Sequence, residues 1–391
     1  MATRGRPPGP GVAAENAGGS STTKLSSVAD KGFPWAPGAA TGVGSMPGGN
    51  PLETARLIYD ELPDLPFLAE LPGRGPGGDM VGRTAALLVD MPVDVTPRGW
   101  RIAERPGRDM SRARTMLSSD LDALGEVLYG FDGPLKVQLA GPWTLAAAIE
   151  KNRSLTPALA DPGLVADLAA SLAEGAAAHV AEVAKRVPAA TVLVQFDEPS
   201  LLAVAQGAIP TASGLSRVRP VDEEVLRDRL GEVLAATRAY TIVHCCASGY
   251  PFEIINGAGA DAVSFDLSLL KHSEYDKLAE TVEGGSGLLI GALSVTGNER
   301  RLSRAEEGAR GAAGRRADSD EERSRPTPKG TANAIREVWQ RIGLSPASAA
   351  EQVVITPACG LAGVSPDRAR EALRWCREAG RILPELMAEL A

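Results

Sequence analysis

The run Val243-His244-Cys245-Cys246 sets an imidazole and a thiol two residues apart. In an extended strand alternate side chains share a face, so His244 and Cys246 point one way and Cys245 points the other. One metal ion could take both. Cys359, ahead of Gly360, and Asp266, at the end of another aliphatic run, could complete a set of two thiolates, one imidazole and one carboxylate, which suits tetrahedral zinc. The same residues also read as a hydrogen-bonded core histidine among buried cysteines. Without a compact CxxC pair, spacing alone leaves the two readings open.

Carboxylates form the second group. Asp197 and Glu198 precede Pro199 at the end of a strongly aliphatic run, where an unpaired buried charge is too costly to keep for stability alone. They serve either a cationic ligand or a helix N-cap or salt bridge. Glu70 ends a comparable run. Gly42-Val43-Gly44-Ser45 could offer backbone N–H groups to an anion, or simply make a tight turn. Cys376, His179 and His272 fall in or beside helical patterns, where packing or surface roles are expected.

The elements that must position these residues repeat in a βα rhythm. Strands are expected over 41–46, 67–71, 135–140, 191–197, 240–246, 262–267, 287–293 and 352–357. Helices are expected over 51–62, 117–129, 162–186, 222–240, 274–282, 333–343 and 366–390, with a hairpin near 91–103. Eight strands each followed by helical sequence predict a (β/α)₈ TIM barrel, whose chemistry sits at the C-terminal strand ends. Ser45, Glu70, Asp197, His244, Cys246, Asp266 and Cys359 all fall at or just beyond such ends. Residues 1–38, rich in Gly, Ala, Pro and Ser, are expected to be a disordered tail, and residues 298–330, nearly devoid of apolar side chains, a disordered insertion in one catalytic domain of 39–391.

A length of 391 residues with 44% hydrophobic content supports a sizeable core. The net charge of -8 leaves no broad basic surface for nucleic acid or an anionic membrane. No apolar run approaching a membrane span and no secretory core are apparent, and four cysteines suit a reducing compartment, so a cytoplasmic enzyme is expected.

Five segments together resemble the catalytic barrel of cobalamin-independent methionine synthase: Gly44-Ser45-Met46-Pro47, Leu139-Ala140-Gly141-Pro142-Trp143-Thr144, Gln195-Phe196-Asp197-Glu198-Pro199, the His244-x-Cys246 pair, and Pro357-Ala358-Cys359-Gly360-Leu361. The resemblance implies a Zn2+ site of His244, Cys246 and Cys359 with a carboxylate, the family's glutamate falling on Asp266, shorter by one methylene. It also implies that homocysteine is methylated to methionine, with its amino group against Asp197 and Glu70 and its carboxylate near Ser45. The methyl donor is left as methyltetrahydrofolate or a methyl-corrinoid, which a carrier protein could present. The family's histidine after the seventh strand, linked to protonation of the folate leaving group, is missing from Gly291-Ala292-Leu293-Ser294-Val295, and a corrinoid needs no such proton. The related uroporphyrinogen decarboxylase barrel, a lyase without metal, and a non-catalytic barrel with structural zinc are the alternative readings.

Overall fold

Six of the eight aliphatic runs pair into one parallel sheet in the computed structural model, which describes Met1 and residues 32–295 and 327–390. The expected hairpin is β1 (Val93–Thr96) with β2 (Gly99–Ile102). The parallel strands are β3 (Pro134–Ala140), β4 (Thr191–Asp197), β5 (Tyr240–Cys245), β6 (Ala262–Asp266), β7 (Gly287–Leu293) and β8 (Val353–Pro357), hydrogen-bonded in that order. Parallel pairing needs a crossover between successive strands, and helices such as Pro162–Arg186, Glu223–Thr237, Tyr275–Glu283 and Pro328–Ile342 supply it. Residues Phe33–Ala391 make one compact unit.

The remaining two runs, 41–46 and 67–71, differ from expectation. They are extended, but they hold single bridges in place of strands: Ala40 to Ile355 of β8, Ser45 to Glu70, and Phe67 to Lys136 of β3. The first of them carries two closely packed glycines. A Cβ at Gly42 would lie 2.3 Å from the Phe67 ring, and one at Gly44 would lie 2.9 Å from Gln138. These stretches serve as close-packing surfaces, and glycine weakens a regular ladder. The expected eight-stranded ring is therefore observed as six strands plus two bridged segments running between β8 and β3.

Alternation divides the six strands into two faces. One face, with Val137, Phe196, Val243, Cys245 and Phe265, packs with the helices in the main core. The other changes character along its length. Toward the strand starts, Leu193, Ile242, Ala262, Leu289 and Val354 cluster with Trp35, Ala39 and Leu65. Toward the strand ends stand Lys136, Gln138, Gln195, Asp197, His244 and Ser264, all buried.

Three expectations need correction. Trp35 is buried, stacks on Phe33 and meets the edge of Tyr240, so the segment assigned to a tail ending at residue 38 supplies an apolar plug from residue 33 onward. Thr327 caps the helix Pro328–Ile342 by accepting from Gly330 N at 3.0 Å, so 327–330 belong to that helix and not to an insertion. Helix Pro162–Arg186 is, by length and composition alone, apolar enough to cross a membrane, although Leu168, Leu172 and Ala176 are buried in the main core. The rest of the expected tail and insertion, 2–31 and 298–326, lies outside the described residues.

Candidate metal and substrate site

Strand register puts three polar side chains side by side: Asp197 of β4 is paired with His244 of β5, and His244 with Ser264 of β6. His244 Nδ1 lies 2.9 Å from Ser264 Oγ, which fixes the ring and leaves Nε2 without a hydrogen-bond partner among the described residues. Burial, and then the charge of Lys136, lower the His244 pKa to about 3. The imidazole is therefore neutral at physiological pH, the form that ligates metals. One residue past β5, the Cys246 thiol contacts the Cys359 thiol from the turn after β8, although Cys246 is only half-buried and Cys359 is exposed. That hydrogen bond splits the pair: it raises Cys246 well above the usual thiol range and lowers Cys359 to about 6. The pair shares one proton, with thiolate character on Cys359. Cys245 is fully buried in the main core, as alternation predicts.

The donor types fit zinc, since a neutral imidazole and a thiol pair with one low-pKa member are what that ion selects. Asp266 fits less well. Its Oδ1 accepts from Ser268 N at 2.9 Å and Ser268 Oγ at 2.7 Å, closing a short turn. Among the described residues, no group of three or more His, Cys, Asp or Glu side chains is gathered closely enough to hold a metal.

Below this rim lie the carboxylates. Glu70 and Asp197 are both buried, and Glu70 Oε1 has no hydrogen-bond partner among the described residues. Burial raises both pKa values, opposed for Glu70 by Arg83 and Lys136 and for Asp197 by Lys136. Asp197 Oδ1 accepts from Gln195 Nε2 at 2.7 Å. Ser45 joins the two levels through its backbone: Met46 N donates to Glu70 O at 2.8 Å, and Leu361 N donates to Ser45 O at 2.7 Å. A Cβ at Gly360 would fall 2.0 Å from Ser45 Oγ, so a side chain there would turn the Ser45 hydroxyl out of its present place.

Glu198 takes the capping role rather than a ligand role. Its Oε1 accepts from Trp143 N at 2.9 Å, and its Oε2 from Thr144 N at 2.8 Å and Thr144 Oγ1 at 2.7 Å, tying the start of helix Pro142–Ala148 to the end of β4. Sequence reading gave no site role to four residues: Lys136, Gln138 and Gln195, which form a polar layer under the carboxylates, and Arg83, whose Nη1 donates to Ala69 O at 2.6 Å beside Glu70. Lys136 and Gln138 had a signal. They interrupt an otherwise aliphatic strand at alternating positions, on the same face as the site. Arg83 had none, because nothing local marks a helix arginine as buried.

Among solved structures, a B12-independent methionine synthase from Shewanella sp. W3-18-1 in complex with selenomethionine superposes with a TM-score of 0.58 at 13% identity, over 90% of this chain and 100% of that one. Another, of an uncharacterized protein, aligns at 12% identity over 79% of this chain and 71% of its own, with a TM-score of 0.26 that bears no argument. No curated protein matches the sequence. The model of the cobalamin-independent synthase catalytic domain matches residues 38–381, most of the chain, and the protein belongs to that family.

Proposed function

We propose that this chain is a zinc-dependent homocysteine S-methyltransferase built on a closed (β/α)₈ barrel and working in the cytoplasm. The observation that carries the reading is the pair of buried carboxylates, Glu70 and Asp197, lying beneath a mixed thiol and imidazole rim, with one carboxylate oxygen left without a donor. Such a pair calls for a cation, and an amino-acid ammonium supplies both the charge and the hydrogen-bond donors. The selenomethionine bound by the Shewanella relative is an amino acid of the same length as the proposed product.

His244, Cys246 and Cys359 would hold zinc, with Asp266 contributing through the carboxylate oxygen its turn leaves free. Bound zinc favours the thiolate form of a substrate thiol. Glu70 and Asp197 would hold the ammonium and Ser45 the carboxylate end, fixing the direction in which the sulfur projects. In the transfer the homocysteine sulfur forms a bond to the methyl carbon. The bond from that carbon to the donor's nitrogen or cobalt breaks, and its electron pair leaves with the donor. Gly291-Ala292-Leu293 of β7 brings no acid to protonate a folate nitrogen, which favours a methyl-corrinoid. Methionine formation from homocysteine, with methylcobalamin and methyltetrahydrofolate assayed side by side and zinc measured in the same samples, tests the reading. Turnover with neither donor by zinc-replete protein would sink it.

A further inference from the structure

The layer under the proposed ammonium site contains a cation with no stated role. Lys136 is fully buried on the inner face of β3, and its Nζ donates to Val43 O at 2.8 Å and Gln138 Oε1 at 3.4 Å, with the Phe67 ring centroid 5.5 Å away. Both oxygens are neutral, and neither carboxylate takes a hydrogen bond from it among the described residues. Gln195 Nε2 shares the Val43 carbonyl at 2.9 Å while also holding Asp197, and Gln138 Nε2 donates to Leu68 O. One network thus reaches all three proposed substrate contacts: Ser45 through Val43, Glu70 through Leu68, and Asp197 directly.

Two buried carboxylates cannot both stay ionised without a nearby cation, because desolvation and mutual repulsion favour taking up a proton. The charge of Lys136 opposes the effect of burial on both carboxyls, alongside Arg83 at Glu70 and as the cation at Asp197. We infer that Lys136 is a positioning residue that sets the charge of the amino-acid subsite: Arg83, the other cation beside Glu70, is paired with Asp120 at 3.5 Å, and Lys136 with Glu70 and Asp197 forms a buried trio of net charge −1, which one ammonium group neutralises. The inference rests on the ammonium reading above. It further implies that the subsite selects its ligand by charge balance and not only by hydrogen-bond count.

Equilibrium binding tests this without turnover, using the full chain, L-methionine, and its des-amino analogue 4-(methylthio)butanoate. The wild type should prefer methionine. Asp197→Asn brings the trio to zero and should weaken methionine by about 30-fold, the loss of one charge-assisted hydrogen bond. Lys136→Gln should weaken it by about 10-fold, since one carboxylate then carries a proton and ceases to accept. The double variant returns the trio to −1 and should bind methionine several-fold more tightly than Asp197→Asn alone. A merely structural lysine predicts the opposite, losses that add or compound, and that result overturns the inference while leaving the ammonium reading intact. Equal binding of methionine and the analogue by the wild type removes the ammonium reading, and the inference with it.

Should Lys136→Gln fail to fold, Lys136→Met repeats the cycle. A third arm leaves the lysine in place. Glu70→Gln with Asp197→Asn leaves net +1, and should bind 2-(2-methylthioethyl)malonate, which carries a carboxylate where methionine has its ammonium, in preference to methionine. Retained preference for methionine in that variant also overturns the inference.

Discussion

The carboxylate layer and the thiol rim stand on neighbouring segments, Asp197 on β4 being paired with His244 on β5, yet they are built in opposite ways. Around Glu70 and Asp197 the neighbouring side chains are tied to backbone and to each other: Gln138 holds Leu68, Gln195 holds Asp197 and Val43, Lys136 holds Val43, and Arg83 holds Ala69, while Glu70 Oε1 has no partner among the described residues. At the rim, His244 has a single side-chain partner, the two thiols bond each other with Gly360 N also turned to Cys359, and Asp266 belongs to a turn. A preorganised layer suits a task in which orientation is the contribution, whereas a loosely held donor set suits one in which a ligand position must exchange. The two regions should therefore fail differently when disturbed.

The largest effect is expected at the rim. Purified protein should carry about one zinc per chain, and Cys246→Ser or Cys359→Ser should reduce it to less than about a tenth of an equivalent, because too few ligands remain. Cys245→Ser should keep the metal, as that side chain is buried among Tyr250, Phe252 and their neighbours. Equal metal loss in all three, measured by elemental analysis, would break the division into inner and outer faces.

Next is the clamp beside the layer. Glu198→Ala strands three buried donors, at a cost of about 3 kcal/mol, and should lower the thermal midpoint by several degrees with zinc content preserved. An unchanged midpoint would mean that helix Pro142–Ala148 is not held by this contact. Within the layer itself, Asp197→Asn should raise the homocysteine KM by about 10- to 100-fold at constant zinc. Parallel loss of zinc and affinity would show that the two regions are one unit after all.

The smallest expected effect is away from both regions, at His179. Burial first, and then the charge of Arg83, lower its pKa to about 3. The unfolded chain takes up a proton near pH 6.5 while the folded chain does not, so stability falls as pH drops from 6.5 toward 3, by about 1.4 kcal/mol per pH unit. His179→Leu removes that slope. Its unfolding free energy in urea, relative to wild type, should improve by about 1.4 kcal/mol between pH 7.5 and 5.5, and a constant difference would contradict the neutral, buried imidazole.

What could be read from sequence follows from how local each signal is. β4, β7 and helix Pro162–Arg186 occupy their expected ranges, because aliphatic runs and a long amphipathic repeat are encoded within one window. The segments 41–46 and 67–71 look like strands to the same window, but they make single bridges, and what they meet there, Ile355 and Lys136, lies far along the chain. Composition hid the role of Trp35, whose neighbours are Gly, Ala and Pro and whose burial depends on β5 and β7. The candidate site residues stood out in sequence as chemistry, since His, Cys and Asp recur at the strand ends where loops converge. The lysine beneath them left a local mark, a charge inside an aliphatic strand, but the carboxylates it acts on lie on two other segments and could not be read from that window.

Trp35 also bears on kinetics. With Leu65, Leu193, Ile242 and Leu289 it fills the interior at the strand starts, so among the described residues a molecule resting against Glu70 and Asp197 is closed off from that end and faces the end that carries Cys246 and Cys359. Under the proposed function, an acceptor amino acid therefore sits beneath a bulkier methyl donor. The acceptor must enter before the donor docks, and the spent donor must depart before methionine can escape. That order gives a definite pattern: methionine should inhibit competitively against homocysteine and not against the donor, and an excess of donor should slow turnover by occupying the mouth before the acceptor has arrived.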